Sequence, residues 1–101
     1  MAYNRDRHFK SRVKKFFQRQ GWLIWGALPN SPVDLVCFRD GEVRLVQCKI
    51  DGYISPNERE QLLELAAQNG FCAYLVKRER KKLIFVELTN SKSLQSVLWT
   101  E

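Results

Sequence analysis

Residues Val33 to Lys49 read VDLVCFRDGEVRLVQCK, and this stretch decides the fold. Val33 to Phe38 is one apolar run and Val43 to Ile50 is another. Arg39-Asp40-Gly41-Glu42 separates them, and Asp-Gly between two apolar runs is a strong signal for a tight β-hairpin. Asp34 opens the first predicted strand. Gln47 and Lys49 stand near the end of the second, two residues apart, so their side chains share a face. An acid, an amide oxygen and an ammonium then gather at one sheet edge. Such a group can hold a hard cation and activate water on a phosphodiester.

Upstream of the hairpin, Asp6 to Gln20 reads as a helix. Phe9, Val13, Phe16 and Phe17 recur at i, i+4, i+7 and i+8, and Gly21 ends it. Around that stripe stand Arg5, Arg7, Lys10, Arg12, Lys14, Lys15 and Arg19, with Asp6 the single acid. Cations on a long stiff element can track a DNA backbone; the plainer reading is a solvated face. His8 lies opposite the stripe and reads as a surface or phosphate-contacting residue. Asp6 falls within roughly 20° of Val13 on a helical wheel at about 100° per residue. It is either a first-turn acid facing the helix dipole or an acid serving the site. Trp22 to Gly26 is a short strand, and the loop after it offers Asn30 and Ser31 as turn-formers or phosphate contacts.

Downstream, Ser55-Pro56-Asn57-Glu58 carries an N-cap, a proline at the first helical position and the acid of a capping box. Leu62, Leu63, Leu65 and Ala66 form the buried side of this helix, and Gly70 stops it. Glu58 caps the helix or leans to the sheet as a second acid. Phe71 to Val76 and Leu83 to Leu88 are two more strands. Between them, Lys77, Arg78, Arg80, Lys81 and Lys82 form a basic hairpin tip that is solvated or touches nucleic acid. Thr89-Asn90-Ser91 is read as the cap of a short final helix with Leu94, Val97 and Leu98 inward. The expected fold is α/β, a single mixed β-sheet flanked by helices, in one domain over residues 1–101.

The 101 residues carry a net charge of +6 and are 45% hydrophobic. That composition is globular, and the charge favours a polyanionic partner, with nucleic acid first. No apolar run approaches the roughly 18 residues of a membrane span, and no signal peptide is read before the fold. A membrane partner is therefore not expected, and the location read is cytoplasmic. Cys37, Cys48 and Cys72 lack metal-ligand spacing and read as small buried hydrophobes of a reducing compartment.

Asp, then a strand, then Asp/Glu-x-Lys on the next strand is the signature of the PD-(D/E)XK nucleases. It stands here as Pro32-Val33-Asp34 and Gln47-Cys48-Lys49. Within that superfamily the chain resembles the archaeal and phage Holliday junction resolvases of the Hjc kind. A basic first helix runs into Gly21-Trp22, thirteen residues later comes Asp34, and thirteen after that Gln47. ISPNEREQLLELAAQNGFCAYLV then looks like the helix and strand that close the core. The resemblance spans Asp6 to Leu88. It departs at two places: the family usually has an acid where Gln47 stands, and a helix Glu where spacing puts Lys10.

The resemblance implies a restriction-endonuclease-like core and metal-dependent hydrolysis of branched double-stranded DNA by a homodimer. It implies Mg²⁺, with Mn²⁺ as substitute, and no small-molecule cofactor. Asp34, Gln47 and Lys49 would be catalytic. Asp34, Gln47 and the Cys48 main-chain carbonyl would bind the metal, joined by Asp6 or Glu58. The alternatives are another nuclease on this fold, of nicking, repair or restriction type, and a DNA-binding module with weak activity.

Overall fold

The structure, a computed structural model, describes residues 5–88 and 96–100, the last five by their backbone. Helix α1 spans Arg5–Arg19 and is followed by strands β1 (Leu23–Trp25), β2 (Leu35–Arg39) and β3 (Glu42–Cys48). Helix α2 (Pro56–Asn69) leads to β4 (Cys72–Glu79), β5 (Lys82–Leu88) and β6 (Ser96–Thr100). The six strands lie in sequence order in one sheet, which is mixed because β3 and β4 pair in parallel while the other neighbours are antiparallel. A parallel step needs a crossover, and α2 supplies it.

Alternation along the strands builds two cores. Leu35, Cys37, Val46 and Cys48 join Tyr74, Val76 and Phe85 beneath Phe9, Val13, Phe16 and Phe17 of α1. Val36, Leu45, Ala73, Leu75 and Val86 join Leu62 and Ala66 of α2 in the other core. The i, i+4, i+7 stripe of α1 is thus buried as its spacing requires. Phe17 and Phe85 are fully buried and meet edge to face at 5.6 Å. Truncating either to Ala would cost about 3–5 kcal/mol.

The capping chemistry of α2 is realised in full. Ser55 Oγ accepts from the Glu58 N–H, the Glu58 side chain accepts from the Ser55 N–H, Pro56 opens the helix, and Gly70 closes it at φ 69°. The end of the chain departs from expectation. The apolar spacing of Leu94, Val97 and Leu98 suggests a helix, but Ser96–Thr100 forms β6 against β5. Long-range pairing to an open strand edge overrides a weak local helix pattern. The expected cap, Thr89 to Ser91, lies outside the described residues, as does Leu94. No helix among the described residues is long and apolar enough to cross a membrane.

Candidate active site

The alternation that builds the two cores also delivers Gln47 and Lys49 to the α2 side, where both side chains meet Glu58. Asp34 sits one residue before β2 and continues the ladder, its N–H donating to the Val46 carbonyl at 2.8 Å. Its Oδ2 accepts from the Cys48 N–H at 2.7 Å, which fixes the carboxylate against the end of β3. In a strand the N–H and C=O of one residue face the same neighbour, so the Cys48 carbonyl shares Asp34's side. The hairpin therefore carries Asp34, Gln47, Cys48 and Lys49 at its open end, opposite its turn.

Here the start of β2 and the end of β3 meet the first turns of both helices, around an open recess of about 940 Å³. It is lined by Arg5, Asp6, Lys10, Ser31, Pro32, Asp34, Gln47, Cys48, Lys49, Ile50, Asp51 and Glu58. Two acids in it each face a lysine. Lys10 Nζ lies 3.1 Å from Asp34 Oδ1, and Lys49 Nζ lies 3.5 Å from Glu58 Oε2. Lys10 thus does not merely fill the place of a helix acid; its ammonium rests on the Asp34 carboxylate.

Gln47 is 2% exposed. Its Nε2 donates to Glu58 Oε2 at 2.8 Å, which sets the amide's orientation and leaves Oε1 buried with no hydrogen-bond partner. A buried amide oxygen without a donor is costly, about 1–3 kcal/mol, and a cation is one group that would satisfy it. Burial, the largest single cause, pushes the Glu58 carboxyl up. Hydrogen bonds from Gln47 and Ser55 and the nearby Lys49 ammonium together hold it below its ordinary value. Among the described residues no three His, Cys, Asp or Glu side chains form a ready cage. The donor set instead combines carboxylates with neutral oxygens. It fits a Mg²⁺-type ion, which keeps several waters and takes few protein ligands.

The other expected residues divide. Asp6 lines the recess but is exposed. Ser31 forms part of its wall, with Oγ donating to the Leu28 carbonyl and accepting from the Val33 N–H. Asn30 is not brought there; it turns the chain at φ 58° and lines a separate hollow with Gln61 and Gln68. The two basic clusters converge. Arg5, His8, Arg12, Arg78 and Lys81 line one groove that shares Arg5 and Ile50 with the recess. Arg12 Nη2 donates to the Lys81 carbonyl at 2.7 Å and ties the helix to the hairpin tip. Lys15 and Arg19 continue this row at helical spacing, while Arg7 and Lys14 are exposed elsewhere on α1. Lys77 pairs with Glu79 at 3.0 Å, and Arg80 and Lys82 are exposed at the tip.

Two cations escaped the sequence reading because their work is structural. Arg39 and Arg44 lie 4.5 and 4.4 Å over the buried Trp22 ring, and Arg44 also lies over Tyr74 at 4.7 Å. Arg39 donates to the Gln20 carbonyl past the end of α1. Arg44 alternates with the buried Val46 and Cys48, and that position was the available signal. Cys37 and Cys48 are buried free thiols. Burial pushes the Cys37 thiol up to about 12 and, with the Asp34 charge adding, raises Cys48 as well. Neither is a ready thiolate.

A mixed sheet between two helices, with an acid before one strand and Gln-x-Lys at the end of the next, matches the expected restriction-endonuclease-like fold. No protein-family model matches the chain. It is similar to the crossover junction endodeoxyribonuclease Hjc of Methanocaldococcus jannaschii, at 24% identity over 88 residues. That match takes in 83% of this chain and 66% of the relative's length. The fold is that of Archaeoglobus fulgidus Hjc, a Holliday junction resolvase, with a TM-score of 0.69 at 18% identity. The superposition covers 87% of this chain and 83% of that one.

Proposed function

We propose that the protein is a structure-selective DNA endonuclease that resolves four-way junctions by metal-dependent phosphodiester hydrolysis. The observation that carries the proposal is the convergence of Asp34, Gln47 and Lys49 in a recess continuous with a basic groove. Likeness to the two Hjc proteins supports the same reading.

Asp34, Gln47 Oε1 and the Cys48 carbonyl would hold Mg²⁺, with Mn²⁺ as substitute. Once bound, such an ion acidifies water and polarises a phosphoryl oxygen. The Cys48 N–H keeps Asp34 from rotating away. Lys49, its backbone fixed by an N–H donated to the Val76 carbonyl at 2.9 Å, orients water and offsets charge developing on the phosphate. The row from Arg5 through Arg12 to the tip at Lys81 positions the DNA backbone. This binding is electrostatic and independent of sequence. A homodimer completes the proposal, because two cuts across a junction call for two sites. Its support is edge strand β1, where Leu23 and Trp25 are 73% and 69% exposed and Trp25 meets Phe38 at 5.4 Å.

A second reading, a DNA-binding module of weak activity, draws on the Lys10 ammonium against Asp34. Incubation with a synthetic four-way junction and Mg²⁺ decides between them. Cleavage is the expected result, and binding without cleavage would favour the module.

A further inference from the structure

We infer that Glu58, from the first turn of α2, is the second carboxylate of the cation site and takes over from the acid that Gln47 replaces. The inference rests on the metal-dependent reading above and goes beyond it by assigning the missing charge.

The geometry divides the two Glu58 oxygens. Oε1 is committed to the cap, accepting from the Ser55 N–H at 3.3 Å and from Ser55 Oγ at 3.1 Å. Oε2 faces the sheet, taking the Gln47 amide at 2.8 Å and Lys49 Nζ at 3.5 Å. A carboxylate oxygen therefore stands beside the β3 side chain that would otherwise supply one, and it reaches there from a different element. The cap fixes its arm from behind, so little rotamer freedom remains to be lost when an ion binds.

Gln47 supplies the independent observation. It is almost wholly buried, it lines the same recess, and its Oε1 has no hydrogen-bond partner. Donation from Nε2 to Glu58 prevents the amide from turning to hide that oxygen, because the turned amide would set oxygen against carboxylate. Glu58 thereby does two things: it brings negative charge and it presents the neutral oxygen of Gln47.

Charge arithmetic supports the assignment. With Asp34 as its one acid, the site would set a single carboxylate against two ammonium groups, Lys10 on Asp34 itself and Lys49 in the same recess, which disfavours a dication. Glu58 gives Lys49 an acid of its own, as Asp34 does for Lys10. A divalent ion then competes for oxygens that the lysines now occupy. Hard-cation affinity follows the number of charged ligands, so one acid more or fewer is a large change.

The test is Mn²⁺ binding without DNA, followed by electron paramagnetic resonance of the free ion, for wild type, Asp34→Asn, Glu58→Gln and the exchanged pair Gln47→Glu with Glu58→Gln. Gln serves in a capping box as Glu does, so Glu58→Gln should keep the thermal midpoint. It should weaken Mn²⁺ binding by about tenfold or more. The exchanged pair should recover most of that loss, since it returns the acid to β3. Wild-type affinity in Glu58→Gln, with binding lost in Asp34→Asn, would overturn the role of Glu58 and leave the metal reading standing. A folded exchanged pair that recovers nothing would also overturn it. Failure of the wild type itself to bind Mn²⁺ would overturn the metal reading and this inference together.

Discussion

The β2–β3 and β4–β5 hairpins turn in the same way with opposite chemistry. The first turns at Asp40 and Gly41, with φ of 50° and 79°; the second turns at Arg80 and Lys81, with φ of 51° and 68°. Each turn has two residues, flanked by the opposite-charge pairs Arg39↔Glu42 and Glu79↔Lys82. Asp-Gly suits left-handed backbone, whereas two long cationic side chains cost about 1 kcal/mol or more each there. The pairing Cys48↔Val76 shows why position matters: β3 ends there, and β4 runs on through Lys77, Arg78 and Glu79. The basic turn of the second hairpin therefore projects past the open end of the first, beside the recess. One turn suits its left-handed backbone, and the other holds two cations in the same conformation next to the recess.

The largest expected effect tests the open end of the first hairpin. Asp34→Asn should lower Mg²⁺-dependent junction cleavage by about a thousandfold or more. Junction binding and stability should change little. The side chain still accepts from the Cys48 N–H, and the half-exposed Lys10 pair contributes about 1 kcal/mol at most. Melting by several kcal/mol would mean that the acid serves the fold. Next, Lys49→Ala should slow single-turnover cleavage by about a hundredfold with Mg²⁺ saturating. A rate near wild type would remove Lys49 from the chemistry.

The second hairpin should respond in the opposite sense. Replacing Arg80-Lys81 with Asn-Gly should stabilise the fold by about 1 kcal/mol while weakening DNA binding. If α1 and the tip neutralise about six phosphates, log K falls with log salt at a slope of roughly −5, and losing two cations should flatten it by roughly 2. An unchanged slope would show that the tip faces away from DNA. The smallest effect is Gly41→Ala. A Cβ there meets nothing within 4 Å, so the backbone conformation alone should cost about 1 kcal/mol. Denaturant melting should register it with the salt slope unchanged.

The contrast also explains what the sequence disclosed. Asp40-Gly41, the Ser55–Glu58 cap and the Phe9–Phe17 stripe are local signals, and local physics obeyed them. Lys77 to Lys82 form the hairpin tip that their place between two strands implies, but no residue type in Arg80-Lys81 marks the left-handed turn itself. The two acid–lysine pairs of the recess each join residues on different elements. Spacing placed Lys10 on the helix and Glu58 in its cap, but not Lys10 on Asp34 or Glu58 Oε2 on Gln47. Those contacts depend on how each helix is seated over the sheet. The strand Ser96–Thr100 is hidden for the same reason, since the edge of β5 that receives it is invisible in a local window.

On the proposed reading the recess and the basic groove act together on branched DNA. The most direct measurement is cleavage of a labelled four-way junction beside a linear duplex of the same sequence, with Mg²⁺, by wild type and Asp34→Asn. The wild type should cut the junction in preference to the duplex, and Asp34→Asn should bind the junction without cutting it. Equal cutting of both DNAs would contradict junction selectivity, and undiminished cutting by Asp34→Asn would contradict the site.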